Sequence, residues 1–214
     1  MAPKSPAIAR LQPSYALSPI TALAFYEPTP DRVLLLAGED TWLKVYDIET
    51  SQLLGQLTIF SSQPIHGIHV SQPDAHSPSP SGILLWGGHS VALLPHSSLA
   101  SLLAGQPAPQ PTESRAPDWI YNGILFPQDP NPTSTSKPTG ALVTAHNEIL
   151  PFSLPPTAAE PPQQQEQQQH PLLFGPLTSP SRPILYSANL ALLAPDTVLV
   201  AGGTVFGEII VWKY

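Results

Sequence analysis

Val198-Leu199-Val200-Ala201-Gly202-Gly203-Thr204-Val205-Phe206-Gly207-Glu208-Ile209-Ile210-Val211-Trp212 carries the clearest structural pattern of the chain. It runs as an apolar segment, a small-residue pair, a turn, and a second apolar segment. Each apolar run is too short for a helix and rich in β-branched residues, so the stretch reads as two strands joined by a tight turn. The same pattern recurs upstream. Val33-Leu34-Leu35-Leu36-Ala37-Gly38 turns at Glu39-Asp40 into Trp42-Leu43-Lys44-Val45-Tyr46-Asp47. Ile83-Leu84-Leu85-Trp86-Gly87-Gly88 leads to Ser90-Val91-Ala92-Leu93-Leu94, and Ala141-Leu142-Val143-Thr144-Ala145-His146 turns at Asn147-Glu148 into Ile149-Leu150-Pro151-Phe152.

Each copy has a further apolar segment before it: Ile20 to Phe25, Ile65 to Val70, Trp119 to Phe126, and Ile184 to Leu193. Gln52 to Phe60 supplies a candidate fourth strand for the first copy. Three or four antiparallel strands recurring roughly every 50–60 residues match a propeller blade enlarged by loop insertions. The apolar runs lack strict alternation, as strands covered on both faces should. Gly and Ala at the small pair allow close backbone approach and a tight turn. The aromatic near the end of the third strand (Tyr46, Phe152, Trp212) is expected to fill the gap between blades. Copy two has Leu94-Pro95 there and reads as degenerate.

Composition supports a β-rich body with Pro-rich loops. The chain has 214 residues, 29 prolines, 42% hydrophobic residues and only 11% charged ones. Segments 72–81, 105–117, 127–138 and 155–170 are rich in Pro, Ser, Thr or Gln and carry too little apolar side chain to offset the entropy of ordering them. They are expected as flexible inserts in one partial propeller spanning 13–214, with a disordered N-terminus at 1–12. A net charge of −7 with 8 Lys and Arg disfavours unaided binding to a phosphate backbone. With no cysteine in the chain, disulfides, thiolate metal sites and cysteine nucleophiles are excluded. No secretory signal or membrane-length apolar run is seen. A soluble, cytoplasmic protein is the expectation, with no membrane insertion.

His66 and His69 form an H-x-x-H, but on a strand residues three apart point to opposite faces, so two ordinary strand histidines are expected. His76, His96 and His170 fall in Pro-rich loops, and His89 and His146 at strand ends. No Gly-x-Ser-x-Gly elbow is present, nor is a helix expected to follow one. Gly202-Gly203-Thr204 near Gly207 lacks the Lys-Ser/Thr ending and helix of a phosphate loop. Glu39-Asp40 reads as a solvated turn. Trp42, Trp86, Trp119 and Trp212 read as core or inter-blade packing. No catalytic, cofactor-binding or metal-binding residue is assigned, and no small-molecule substrate.

Several of these segments occur in a familiar order: Leu36 to Glu39 with Leu43 to Asp47, Pro64-Ile65-His66-Gly67-Ile68, Asp118-Trp119-Ile120, Val143 to Asn147, Ser181 to Ala188, and Val200 to Trp212. Together they resemble the N-terminal region of the large WD-repeat protein six family of fungal type, over roughly Ile20 to Tyr214. The last motif is the most specific. The resemblance implies a WD40-type β-propeller, here partial with about four blades. It implies a non-catalytic scaffold assisting a tRNA 2′-O-methyltransferase in ribose methylation at the wobble position, with tRNA met only within that complex. An adaptor role in endosomal recycling is the alternative it leaves. Family members continue through many more repeats, so either a fragment or a chain needing a partner is expected.

Overall fold

Each of the four copies folds as an antiparallel meander. The computed structural model describes residues 18–71, 82–127, 138–154, 171–175, 183–194 and 197–214. The first sheet orders β1 (Ile20–Thr29), β2 (Arg32–Glu39), β3 (Trp42–Asp47) and β4 (Leu53–Thr58) side by side. The second runs β5 (Gly67–Val70), β6 (Gly82–Gly87), β7 (Ser90–Pro95), β8 (Ser114–Arg115), with α1 (His96–Leu103) between its last two strands. The third is β9 (Ile120–Leu125), β10 (Gly140–Thr144), β11 (Ile149–Ser153), β12 (Leu173–Phe174), and the fourth is β13 (Leu185–Ala194), β14 (Thr197–Thr204), β15 (Ile209–Lys213). All pairings are antiparallel. The expected all-β architecture of about four blades is therefore present, as an open array. Among the described residues no helix is long and apolar enough to cross a membrane.

Neighbouring sheets meet through their first strands: β1 touches β5, β5 touches β9, and β9 touches β13. Three apolar cores result, each shared by two consecutive sheets. Leu34, Leu36, Leu43 and Val45 meet Ile65, Ile83, Leu85 and Leu94 in the first. Leu84, Trp86 and Val91 meet Leu142, Leu150 and Phe152 in the second. Ala141, Val143 and Ile149 meet Leu185, Val198 and Val200 in the third. Every residue of β6 and β10 is buried, since successive side chains enter cores on opposite faces. That is why these strands do not alternate in sequence.

One backbone hydrogen bond recurs at each junction. Ile65 N–H donates to the Asp40 carbonyl at 2.7 Å, Ile120 N–H to Gly88 at 2.8 Å, and Leu185 N–H to Ala145 at 2.8 Å. Each acceptor lies in the turn between the second and third strands of one sheet, and each donor stands at or just before the first strand of the next. The three donors' side chains are also fully buried, at 0%, 1% and 0% exposure. The small pair serves these junctions directly. A Cβ on Gly38 would stand 2.9 Å from the Ile65 side chain, and one on Gly87 would overlap the Pro64 carbonyl oxygen at 1.8 Å. Across the third junction, the Trp212 indole N–H donates to Asn147 Oδ1 at 3.1 Å. Asn147 is buried at φ 58°, a left-handed conformation that Asn tolerates.

Several expectations are corrected. A helix does exist: α1 starts after Pro95, whose fixed φ suits a helix entry, so His96 stands in a helix and not in a loop. Leu99 drives it into the first core, and Leu102 packs on Gly55 of β4. The second copy, expected to be degenerate, builds a full four-stranded sheet, with Leu99 adding apolar bulk where the third-strand aromatic is missing. Segment 105–117 carries β8, and Ser114 Oγ there accepts the Leu172 N–H at 2.8 Å. Trp86 is buried and Trp119, though 38% exposed, packs between sheets against His66 and His89, whereas Trp42, also 38% exposed, is not a core residue. Phe152 and Trp212 do fill inter-sheet gaps. The expected N-terminal disorder at 1–12 and the inserts at 72–81 and 155–170, with nearly all of 127–138, lie outside the described residues.

Truncating the first junction should be costly. Ile65→Ala is expected to destabilise the chain by about 2–5 kcal/mol, the usual range for a buried aliphatic. Leu23→Ala, on a side chain 60% exposed, should stay within about 0.5 kcal/mol. Urea midpoints of the two variants check this.

Candidate protein-interaction site

The junction bonds gather the β2–β3, β6–β7, β10–β11 and β14–β15 turns and the inter-sheet linkers at one end of the array. Three of the sequence's aromatics surface there. Trp119 sits between two imidazoles: its ring centroid is 5.6 Å from His66 and 6.2 Å from His89, the latter edge-on. Trp42 follows the first turn directly. Phe206, in the last turn, is 81% exposed. Aromatic side chains displayed in this way are common anchors for protein partners.

Asp118 organises the linker beside Trp119. It accepts the Trp119 N–H at 2.8 Å and the His146 N–H at 3.1 Å, and its Oδ2 lies 2.9 Å from His146 Nδ1. Burial pushes its pKa up, but hydrogen bonds from His146, Thr144 and the backbone outweigh this and hold the carboxyl below its ordinary value. Asp118 thereby ties the β10–β11 turn to the linker that leads into β9. His66 and His69 part company as strand geometry requires: His66 lies against Trp119, while His69 sits in β5, where burial lowers its pKa. Among the described residues, no group of three or more His, Asp or Glu is placed to hold a metal ion.

The second element is a face. In sheets two and three, both sides of the second strand enter cores, whereas the first and fourth sheets, at the two ends of the array, are each covered on one side only. Leu190, Leu192, Val198, Val200, Ile210 and Trp212 face the third core. On the opposite side Leu193, Ile209 and Val211 are 53%, 83% and 60% exposed. The β14–β15 turn copies the one before it: Gly207 N–H bonds the Thr204 carbonyl at 3.1 Å and Thr204 N–H bonds Glu208 at 2.8 Å, as Asn147 and Thr144 do with Thr144 and Glu148. Val205 thereby takes the place of Ala145, and among the described residues nothing donates to its carbonyl. The fourth sheet thus offers what each earlier sheet offers its successor: an apolar face and a turn carbonyl. This face was not read from the sequence, because no property of the residues alone distinguishes a face that is covered from one that is not.

No family model matches the chain, and no curated protein matches it in sequence. Solved structures do match in shape. Saccharomyces cerevisiae Sqt1 aligns at a TM-score of 0.56 with 9% identity, over 92% of this chain and 46% of that one. The β-propeller domain of Myceliophteria thermophila Cps50 (Swd1) aligns at 0.53 with 13% identity, over 91% and 54%. The fold is a partial WD40-type β-propeller. BBS1N, solved in complex with ARL6DN, aligns at 0.53 with 10% identity, over 99% and 53%. The chain spans about half the length of these solved chains. In this propeller, then, the fourth sheet stands where a further blade would pack.

The lowered pKa of Asp118 has a pH signature. A carboxylate whose folded pKa lies below its unfolded value of about 3.9 stabilises the fold above that pH, and the contribution is lost as pH falls through the folded value. Asp118→Asn should therefore lower thermal stability at neutral pH and flatten its fall below about pH 4. Melting curves of both proteins from neutral pH downward test this.

Proposed function

We propose that this partial WD40-type propeller is a non-catalytic scaffold whose fourth-sheet face and turn end receive a protein partner. The single observation that carries the reading is the exposed apolar face of β13–β15, with Leu193, Ile209 and Val211 uncovered beside an unengaged turn carbonyl. Contiguous exposed apolar surface of this kind marks an interaction site.

The partner proposed is a tRNA 2′-O-methyltransferase acting at the wobble ribose, in the cytoplasm. This rests on the resemblance of Val200 to Trp212 and the segments before it to the WD-repeat protein six family. The enzyme would supply the methyl-donor chemistry, while the propeller positions enzyme or substrate. With 8 Lys and Arg against 15 Asp and Glu, the chain is suited to meeting tRNA within the complex and not alone.

Co-purification of the tagged chain with the methyltransferase, and loss of wobble-ribose methylation when the gene is deleted, are the expected results. Normal methylation in the deletion strain, with recycling cargo mislocalised, would transfer the scaffold to endosomal trafficking. Val211→Asp should weaken partner capture by at least about tenfold, because a charge would be buried unpaired at the contact. Its own melting temperature should stay unchanged, because the side chain is exposed.

A further inference from the structure

Beside the β2–β3 turn lies a cavity of about 230 Å3, lined by Ser18, Glu39, Asp40, Trp42, Lys44 and Gln56. Its floor is set by strand register: Glu39 stands opposite Trp42, and Lys44 opposite Gln56. Lys44 Nζ lies 2.5 Å from Glu39 Oε2, with both side chains under 10% exposed, and Glu39 also accepts the Ser18 N–H at 2.8 Å. The ammonium is thus neutralised inside the wall. Asp40 is the charge left over. Its backbone is held at φ 52° by the turn, and its carboxylate has no partner among the described residues. Trp42, 38% exposed, supplies an aromatic surface to the same space.

We propose that this cavity binds the guanidinium of an arginine carried on a partner protein. Two carboxylates against one ammonium leave the cavity negative, as the chain is overall at −7. The volume falls below the roughly 300 Å3 at which pockets for drug-sized ligands begin, so it suits one side chain and not a nucleotide. A planar guanidinium can lie on an indole face while its fork engages a carboxylate, which a compact ammonium does less well. The cavity opens at the same end as Trp119 and Phe206, so an arginine held there belongs to a segment crossing the turn end. The inference holds whichever partner the scaffold serves.

The test uses the full chain at low ionic strength. The probe is a fluorescein-labelled peptide with three arginines spaced by glycines, read by anisotropy beside its lysine and citrulline counterparts and N-acetylarginine amide. The arginine peptide should bind at least about tenfold more tightly than the citrulline one, with lysine between them. Asp40→Asn and Trp42→Leu should each weaken arginine binding by about three- to tenfold. Asn tolerates the left-handed turn position, and melting curves verify the fold of both variants. Asp31→Asn, in the turn at the other end of the first sheet, should leave affinity unchanged. Equal binding of citrulline, an unaltered Asp40→Asn, or the same loss in Asp31→Asn would overturn the site. Affinity for N-acetylarginine amide equal to that for the peptide would overturn its assignment to a protein-borne arginine.

Discussion

The structure depends on one joint made three times: the residue opening a sheet donates its N–H to a turn carbonyl of the sheet before, while its branched side chain enters the core between them. The hydrogen bond fixes where the new sheet starts, and the buried Ile65, Ile120 or Leu185 fixes how closely it approaches. Neither half suffices. A lone backbone hydrogen bond adds only about 1 kcal/mol net, and a lone aliphatic gives no direction. Acting at the same residue, they set angle and distance together. Gly38 and Gly87 are small because this joint leaves no room for a side chain.

The blades, their strand order and their two-sided burial were legible in the sequence because they follow from short apolar runs repeated with turn residues between them. β6 and β10, apolar at nearly every position, could only be strands covered twice. The helix was not legible. His96 to Leu103 sits between prolines and serines, and its apolar face makes sense only beside Gly55 and the first core, which are distant in sequence. The two-residue strand β8 was hidden for the same reason: Ser114-Arg115 has no strand pattern, and its pairing with β7 is a tertiary event.

The site was read less well than the fold. The tryptophans were expected in cores or between blades, and for Trp86 and Trp212 tertiary packing agrees. Trp119 and Trp42 are partly exposed because they lie at the turn end, where the joint that seats Ile120 and Ile65 leaves the neighbouring ring outside the core. Asp118 stood out in the sequence only as part of the Asp118-Trp119-Ile120 motif, which carries no hint of its bonding. Its importance comes from His146, 28 residues away, being brought to it by the third sheet's turn.

The cores follow the chain in single file. Each joins only a sheet and its successor, and the first shares no residue with the third. Whatever disturbs Leu34 must be relayed through two separate packings before Trp212 can register it, and each relay dissipates part of the disturbance. Substitutions can therefore accumulate in one core without compensation two sheets away. A row coupled in this fashion tolerates piecemeal revision of its sequence, while keeping its two ends mechanically indifferent to one another.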